Sequence, residues 1–219
     1  MRLNHSYSAF KQFDNCPLRY YRQRVLKDIK DEMGEAGLEG DRQHKALENR
    51  VAFGTPLPKD MANLEELCDV VATTTRGAHV YPEKELVINR DLKPTGWWDD
   101  DVFFRSKADI FAINPGDTHA VILDWKTGKR RPDFLQMQLM AMAAFMHYPS
   151  LKQVDTMFVW LKEKEQDSET YRRKELPTLT TTLLTYVARI ERALEKEKWP
   201  AKPGWLCSYC PARPTCKWA

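Results

Sequence analysis

Two carboxylates and one amine occupy positions where neighbouring strands would bring them together. Asp124 and Lys126 close the apolar run AVILDWK, and because strand side chains alternate between faces, both point the same way. Asp109 lies in the preceding strand candidate, at a matching depth if the two strands form a hairpin. Paired carboxylates bind hard cations such as Mg²⁺ or Mn²⁺, and such an ion polarises a phosphate and activates water. The pattern therefore predicts a metal site suited to phosphodiester cleavage, with an ordinary Asp–Lys pair as the alternative.

Hydrophobic periodicity indicates the elements that would position these residues. Helices are predicted over 6–30 with an interruption at Pro17, then over 38–53, 60–76, 133–147 and 179–198. Strands are predicted over 85–90, 106–113, 120–126, 156–162 and 170–176. The turn at Pro115-Gly116-Asp117 favours a hairpin between the second and third strands. This order predicts an α/β sandwich with a mixed central sheet flanked by helices.

The length of 219 residues suits one domain. We predict a single domain over 1–219, with a helical part at 1–76, a core at 80–176 and a C-terminal helix with a cysteine-rich tail at 177–219. No apolar run reaches the ~20 residues of a membrane helix, and the polar start has no signal-peptide core. These features predict a cytoplasmic protein, and the compact size is typical of a prokaryotic or phage-encoded one.

The cysteines form a second chemical pattern. Cys207, Cys210 and Cys216 follow the spacing C-x2-C-x5-C, Cys16 lies near the other end of the chain, and Cys68 stands alone in a helical stretch. Intracellular proteins rarely form disulfides, so such a cluster favours metal or redox chemistry. Four thiolates can ligate Zn²⁺ or an iron–sulfur cluster, and the spacing alone does not separate the two.

Basic residues gather in two places despite a net charge of only +3. The first group holds Arg19, Arg22 and Arg24 beside Tyr20 and Tyr21, and the second holds Lys126, Lys129, Arg130 and Arg131 with Trp125. This composition suits a phosphate track with stacking surfaces for DNA. The alternative for either group is a solvated charged face.

The carboxylate–lysine segment resembles the RecB-type motifs of the PD-(D/E)XK nuclease superfamily. There, an Asp on one strand precedes an Asp/Glu-x-Lys that closes the next strand, and Lys-Thr-Gly often follows, as at 126–128 here. The family's next motif is a helical Gln, matched by Gln138, but Met142 stands where a Tyr is usual. The resemblance implies that Asp109 and Asp124 hold metal, that Lys126 assists catalysis, and that Gln138 positions Lys126 or DNA.

The same resemblance assigns the upstream histidine and the cysteines. His44, in GDRQHKALE, matches a further metal ligand, where a satisfied helix-face histidine is the alternative. One early and three late cysteines resemble the iron–sulfur branch, which includes AddB-type helicase–nucleases and CRISPR-associated adaptation nucleases. This implies a 4Fe–4S cluster that fastens the two ends of the chain together, on Cys16, Cys207, Cys210 and Cys216. Glu85 begins the first strand and could approach the site, but it is interpreted as a structural residue or as a support of the ligands, and Glu83 is no better placed.

Three functions follow from these patterns. The first is a Mg²⁺- or Mn²⁺-dependent deoxyribonuclease, with the exonuclease preference for single-stranded ends taken from the resemblance. The second is a catalytically weak DNA-binding subunit of a recombination or CRISPR-adaptation complex, against which the complete Asp–Asp–Lys set argues. The third is a zinc-stabilised interaction protein. No G-x-x-x-x-G-K-[ST] motif is present, so unwinding would need a helicase or recombination partner. An oligomer would be compatible with an exonuclease.

Overall fold

A single five-stranded sheet organises the chain, whose computed structural model describes residues 3–31 and 34–218. The outermost residues of the predicted domain therefore lie outside the described part. The strands run in the order β1 (His79–Asn89), β2 (Val102–Ile113), β3 (His119–Lys126), β4 (Gln153–Trp160) and β5 (Glu165–Arg172). Neighbours are antiparallel except for β3 and β4, which are parallel. The predicted mixed sheet and the β2–β3 hairpin are confirmed.

Helices cover both faces of this sheet. They are α1 (Tyr7–Asn15), α2 (Pro17–Tyr20), a π-helical turn (Tyr21–Leu26), α3 (Glu35–Phe53), a 3₁₀ segment (Lys59–Leu64), α4 (Glu65–Thr74), α5 (Leu135–His147) and α6 (Leu176–Glu195). Short 3₁₀ turns follow at Arg173–Glu175, Trp205–Tyr209 and Arg213–Thr215. In the described ranges, no helix combines the length and apolarity needed to cross a membrane.

Four predicted elements differ most from the structure. The helix expected over 6–30 is interrupted at Cys16, as predicted from Pro17, which lacks an amide hydrogen and starts α2, but it ends in the π-helical turn at Leu26. The first strand begins at His79 rather than at residue 85. The segment 60–76 begins as a 3₁₀ helix before α4. The last strand lies at Glu165–Arg172 rather than 170–176. That strand is polar and largely exposed, so it carries almost no hydrophobic pattern, and Leu176 already belongs to α6.

Each sheet face has its own hydrophobic core. The larger core joins α1, α5 and α6 to one face, and its central side chains include Phe10, Phe104, Phe145 and Ile190. The smaller core joins α3 and α4 to the other face through Leu47, Val71, Leu123 and Trp125. Burial on both faces fixes the strands' register, because a one-residue slip would exchange the side chains between the two cores.

The sheet divides between β2 and β3. Their pairing ends at Ile110 and Leu123, whereas β2 continues beside β1 and β3 continues beside β4 as far as Lys126. The edge of β2 that β3 leaves is taken by His5, whose amide donates to the Phe103 carbonyl at 2.9 Å and whose carbonyl accepts from the Arg105 amide at 2.9 Å. We call this point of divergence the fork.

Candidate metal and catalytic site

The two strand aspartates lie at the fork, as the sequence predicted. Asp109 and Asp124 are the first residues beyond the last β2–β3 pair. The backbone amide of Trp125 donates to Asp109 Oδ2 at 2.7 Å, which ties the end of β3 to the carboxylate on β2. Asp124 is 6% exposed and Asp109 is partly buried. Divergence of the strands therefore brings two carboxylates together at an opening in the sheet.

Helix α3 supplies two further groups from the other side. His44 Nδ1 lies 3.4 Å from Asp109 Oδ2, and Glu48, one turn later, is 1% exposed. One ligand atom from each of His44, Glu48 and Asp109 falls within 4.8 Å of the others. Sequence analysis missed Glu48, although residues four apart share a helix face and the His44–Glu48 spacing could have revealed it.

Glu48 carries a charge that the protein does not neutralise well. Burial, followed by the nearby charges of Glu83 and Asp109, raises the pKa of Glu48 to about 7. Its Oε2 atom has no hydrogen-bond partner, and the neighbouring Lys45 ammonium is exposed and 3.6 Å away. A buried carboxylate of this kind is costly unless a cation compensates it. Oxygen donors beside an imidazole fit Mn²⁺ or Mg²⁺.

The pKa values of His44 and Asp124 are also shifted from their ordinary values. Burial lowers the pKa of His44, but the hydrogen bond and charge of Asp109 outweigh that effect, so the pKa of His44 is raised overall. Burial raises the pKa of Asp124, and the ammonium of Lys126 opposes this. Both shifts show that the two aspartates and His44 share one electrostatic environment.

Lys126 is held by two partners, one of which differs from the prediction. Its Nζ lies 2.5 Å from Asp124 Oδ2 and donates to Gln136 Oε1 at 2.9 Å. Gln136 Nε2 donates in turn to Asp124 Oδ1 at 2.5 Å. The expected partner was Gln138, but two residues correspond to about 200° around a helix, so the two glutamines cannot share a face. Gln136 therefore makes the contacts that were assigned to Gln138.

Strand β1 contributes Glu83 to the surroundings of the site. This residue sits in β1 with φ of +52°, a left-handed conformation that is uncommon outside glycine. Its carboxylate pairs with Lys107 at 2.7 Å. Glu85 is exposed and lies opposite Lys107 in the strand register, so no described contact joins Glu85 to the aspartates.

Two aromatic residues expected to stack on DNA are inaccessible. Tyr20 and Trp125 are both 0% exposed, because Tyr20 packs against Phe13 and Trp199 and Trp125 belongs to the smaller core. Neither can present a ring to a nucleic acid, so the prediction that these two rings stack on DNA is wrong.

Three of the predicted DNA-binding arginines already have acidic partners. Arg19 pairs with Asp31 at 2.8 Å, Arg22 with Asp28 at 2.9 Å, and Arg130 with Asp167 at 2.7 Å and with Glu165. The flanking residues Lys129 and Arg131 are exposed. The charge predicted for a phosphate track is therefore largely compensated within the chain.

The four cysteines of the predicted cluster surround one cavity. Cys16, at the break between α1 and α2, faces the tail residues Cys207, Cys210 and Cys216 across it. All four belong to the described residues, and no three of their sulfur atoms lie within 4.8 Å of one another. A single tetrahedral zinc ion would hold its sulfur ligands about 3.8 Å apart. The sulfurs are therefore not arranged as ligands of one ion.

Packing joins the tail to the first helices independently of the cysteines. The Trp199 ring stacks on Tyr21 and Tyr20, with centroids 5.0 and 6.0 Å away. The Leu18 amide donates to the Pro200 carbonyl at 3.3 Å, and Arg22 Nη1 donates to Thr215 Oγ1 at 2.6 Å. The two ends of the chain thus meet at the cysteine cavity.

Comparisons with known proteins bear on the family and on the fold. A sequence-family model described as the PD-(D/E)XK nuclease superfamily matches residues 4–217. A candidate exonuclease from Eubacterium rectale has a similar structure, with a TM-score of 0.54 and 13% identity over 97% of this chain and 88% of that protein. An alkaline exonuclease from Laribacter hongkongensis aligns with a TM-score of 0.36 and 13% identity over 90% of this chain and 91% of that one. Among curated proteins, no sequence matches the chain.

Proposed function

Because the chain belongs to the PD-(D/E)XK nuclease superfamily, we propose that it is a metal-dependent deoxyribonuclease that acts as an exonuclease on single-stranded DNA ends. The observation that carries this proposal is the meeting of Asp109, Asp124 and Lys126 at the fork. Two carboxylates that neighbouring strands hold beside an ammonium suit the binding of a cation and of a phosphodiester at once. A structural ion pair would need only one of the carboxylates.

His44, Asp109 and Asp124 are the proposed ligands of Mg²⁺ or Mn²⁺, and Glu48 joins them from α3. Support comes from the His44–Glu48–Asp109 grouping and from the unpartnered Glu48 oxygen. When bound, the ion polarises the phosphate and lowers the pKa of a water molecule. Oxygen-rich coordination with one imidazole excludes a soft thiolate-seeking metal from this position.

The remaining side chains act on water and on the phosphate. Hydrolysis adds a water oxygen to phosphorus and breaks one P–O bond, which leaves a phosphate on one product and a protonated hydroxyl on the other. Lys126 supplies positive charge where negative charge develops on the phosphate oxygens. Gln136 holds the Lys126 ammonium through its carbonyl oxygen and Asp124 through its amide. It is therefore a positioning residue for both groups.

A nuclease assay tests the proposal. Linear DNA labelled at either end, single- or double-stranded, is incubated with Mn²⁺, Mg²⁺ or EDTA. Cleavage is expected only with metal, and Asp124→Asn and Lys126→Ala are expected to abolish it while Lys198→Ala, at an exposed α6-flanking lysine, leaves it intact. Covalently closed single-stranded circles should resist an exonuclease. DNA binding without any cleavage by the parent protein would instead indicate a binding subunit.

We further propose that the four cavity cysteines carry a 4Fe–4S cluster, as in the iron–sulfur branch of RecB-like nucleases. Their sulfurs surround one cavity yet lie too far apart for a single ion, and a cubane cluster spaces its thiolates more widely. The Gly204 amide donates to Cys207 Sγ at 3.4 Å, a contact that stabilises thiolate charge. The proposed role is structural, because the cavity lies where the two chain ends meet.

Colour and composition test the cluster. The purified protein should be brown, absorb at about 400 nm and contain iron and acid-labile sulfide. Cys210→Ser should lose the colour and lower the melting temperature, whereas Cys68→Ala, at a buried cysteine of the smaller core, should keep the colour. Stoichiometric zinc without iron would contradict the proposal.

A further inference from the structure

A cavity of about 360 Å³ opens beside the proposed catalytic residues, between the start of α1 and β2. Its lining includes Ser6, Ser8, Arg24, Trp97, Arg105 and Gln136. Gln136 also contacts Lys126 and Asp124, so it separates the cavity from these two residues. We call it the fork cavity. Its size falls within the range of about 300–1,000 Å³ that is typical of small-molecule sites.

Two guanidinium groups in this lining have no acidic partner within residues 3–31 and 34–218. No ion pair of the described residues involves Arg24 or Arg105, whereas Arg22, Arg50 and Arg130 are all paired. Arg24 donates to the neutral oxygen of Gln12, at 2.5 Å, and burial lowers its pKa. The Arg105 Nε atom is buried and has no hydrogen-bond partner in the part of the chain that the structure describes. Partly buried cations without a counter-ion are costly, so an anionic ligand would stabilise both.

Aromatic and neutral polar groups complete the cavity. The Arg105 guanidinium lies 5.3 Å from the Trp97 ring and 5.6 Å from the Trp98 ring, and Trp98 is 84% exposed. His5, which also lines the cavity, is 1% exposed, and neither ring nitrogen has a hydrogen-bond partner among the described residues. A buried polar ring without a partner indicates a hydrogen bond that is completed by a ligand or a water molecule.

We propose that the fork cavity binds one nucleotide of the substrate strand, with its phosphate at Arg24 and Arg105 and its base against Trp97. Guanidinium groups match phosphate oxygens in charge and geometry, and an indole ring stacks on any base without sequence preference. The cavity would thus set where the strand lies relative to Lys126. This inference rests on the proposed nuclease function for the identity of its ligand. The phosphate is either a terminal monophosphate or an internal phosphodiester, since the same groups bind both.

Binding measurements separate this site from the chemistry. Fluorescence anisotropy in EDTA gives the affinity for oligothymidylate as a function of salt, for the parent protein and for Arg105→Gln, Arg24→Gln and Arg192→Gln. Arg192 is an exposed arginine of α6 and serves as the matched control. Each cavity variant should lose affinity about 10- to 100-fold and reduce the salt slope by about 0.7, the value for one phosphate contact on a single strand. Arg105→Lys and Arg24→Lys, which keep the charge, should recover the slope.

Oligonucleotides with different ends show which phosphate the cavity binds, and abasic strands show whether Trp97 contacts a base. Affinity is compared for oligonucleotides that end in a 5′-phosphate, in a 3′-phosphate, or in hydroxyl groups alone. If the parent protein prefers one of these ends and the cavity variants lose that preference, the cavity binds a terminal phosphate. An equal loss for all three identifies an internal phosphate. Trp97→Ala should weaken binding of oligothymidylate but not of a fully abasic strand of the same length and charge.

The outcomes also separate this site from the proposed nuclease function. If Arg24→Gln and Arg105→Gln keep the affinity and salt slope of Arg192→Gln while the parent protein cleaves DNA, the fork cavity is not a nucleotide site. If the parent binds DNA through these arginines but never cleaves it with metal, the nuclease proposal fails and the cavity assignment stands.

Discussion

Replacing Glu48 by glutamine should stabilise the metal-free protein at alkaline pH. Glu48 is 1% exposed and its Oε2 atom has no hydrogen-bond partner. The pKa of this carboxyl is raised from 4.5 to about 7, chiefly by burial and then by the charges of Glu83 and Asp109. Between these two pH values the unfolded chain is ionised while the folded protein still holds the proton. Rising pH therefore favours unfolding across this window, and above pH 7 the cost is complete.

The raised pKa sets the size of the effect. A change from 4.5 to about 7 corresponds to about 3 kcal/mol at pH 8, since one pKa unit is worth about 1.36 kcal/mol. In a protein of 219 residues, each kcal/mol shifts the melting temperature by about 2–4 °C. Glu48→Gln should therefore raise the melting temperature in EDTA by about 6–12 °C at pH 8 and by little at pH 5.

Thermal melts with and without Mn²⁺ measure both consequences. In EDTA the variant should be the more stable protein at pH 8, and Mn²⁺ should stabilise the parent more than the variant, because the ion binds the folded state through Glu48. Glu66→Gln makes the same chemical change at an exposed site of α4 and should alter neither measurement. A stabilisation of equal size at pH 5 and pH 8, or none at either, would refute the electrostatic reasoning.

Three further substitutions test the roles of Gln136 and His44 in the site and of Trp199 where the two ends of the chain meet. Gln136→Ala should lower the cleavage rate about 10- to 100-fold, as loss of a supporting hydrogen bond does at metal sites, while Gln138→Ala stays close to the parent in the same assay. His44 must be neutral to bind a cation and its pKa is raised, so Mn²⁺ affinity by titration calorimetry should fall as the solution is acidified. For His44→Ala the affinity should be weak throughout, and the pH dependence that remains should come from Glu48, whose pKa is raised to about 7. Trp199→Ala removes a ring that packs on three aromatic residues and should destabilise the protein by about 3 kcal/mol, measured by urea unfolding; an unchanged midpoint would mean that the tail is held by other contacts.

The sequence by itself determined the sheet core and the strand part of the site. Apolar alternation and the turn at residues 115–117 specified the β2–β3 hairpin, and period-2 geometry then placed Asp124 and Lys126 on one face. The position of Asp109 along β2, which matches that of Asp124 along β3, followed from the same hairpin register. These are short-range relationships, so local pattern was enough to predict them. The grouping of Cys16 with the tail cysteines came from family resemblance, and their ligation of a cluster stays a prediction.

Only the tertiary structure decided which helix residues join the site. The choice of Gln136 over Gln138 depends on the rotation of α5 against the sheet, and Glu48 becomes a partner of Asp109 only because α3 packs on the opposite face. Tyr20 carries no local sign that Trp199, far along the chain, will cover it. At the fork, His5 takes the β2 edge that β3 leaves. Each of these depends on contacts between segments distant in sequence, whose packing no local periodicity encodes.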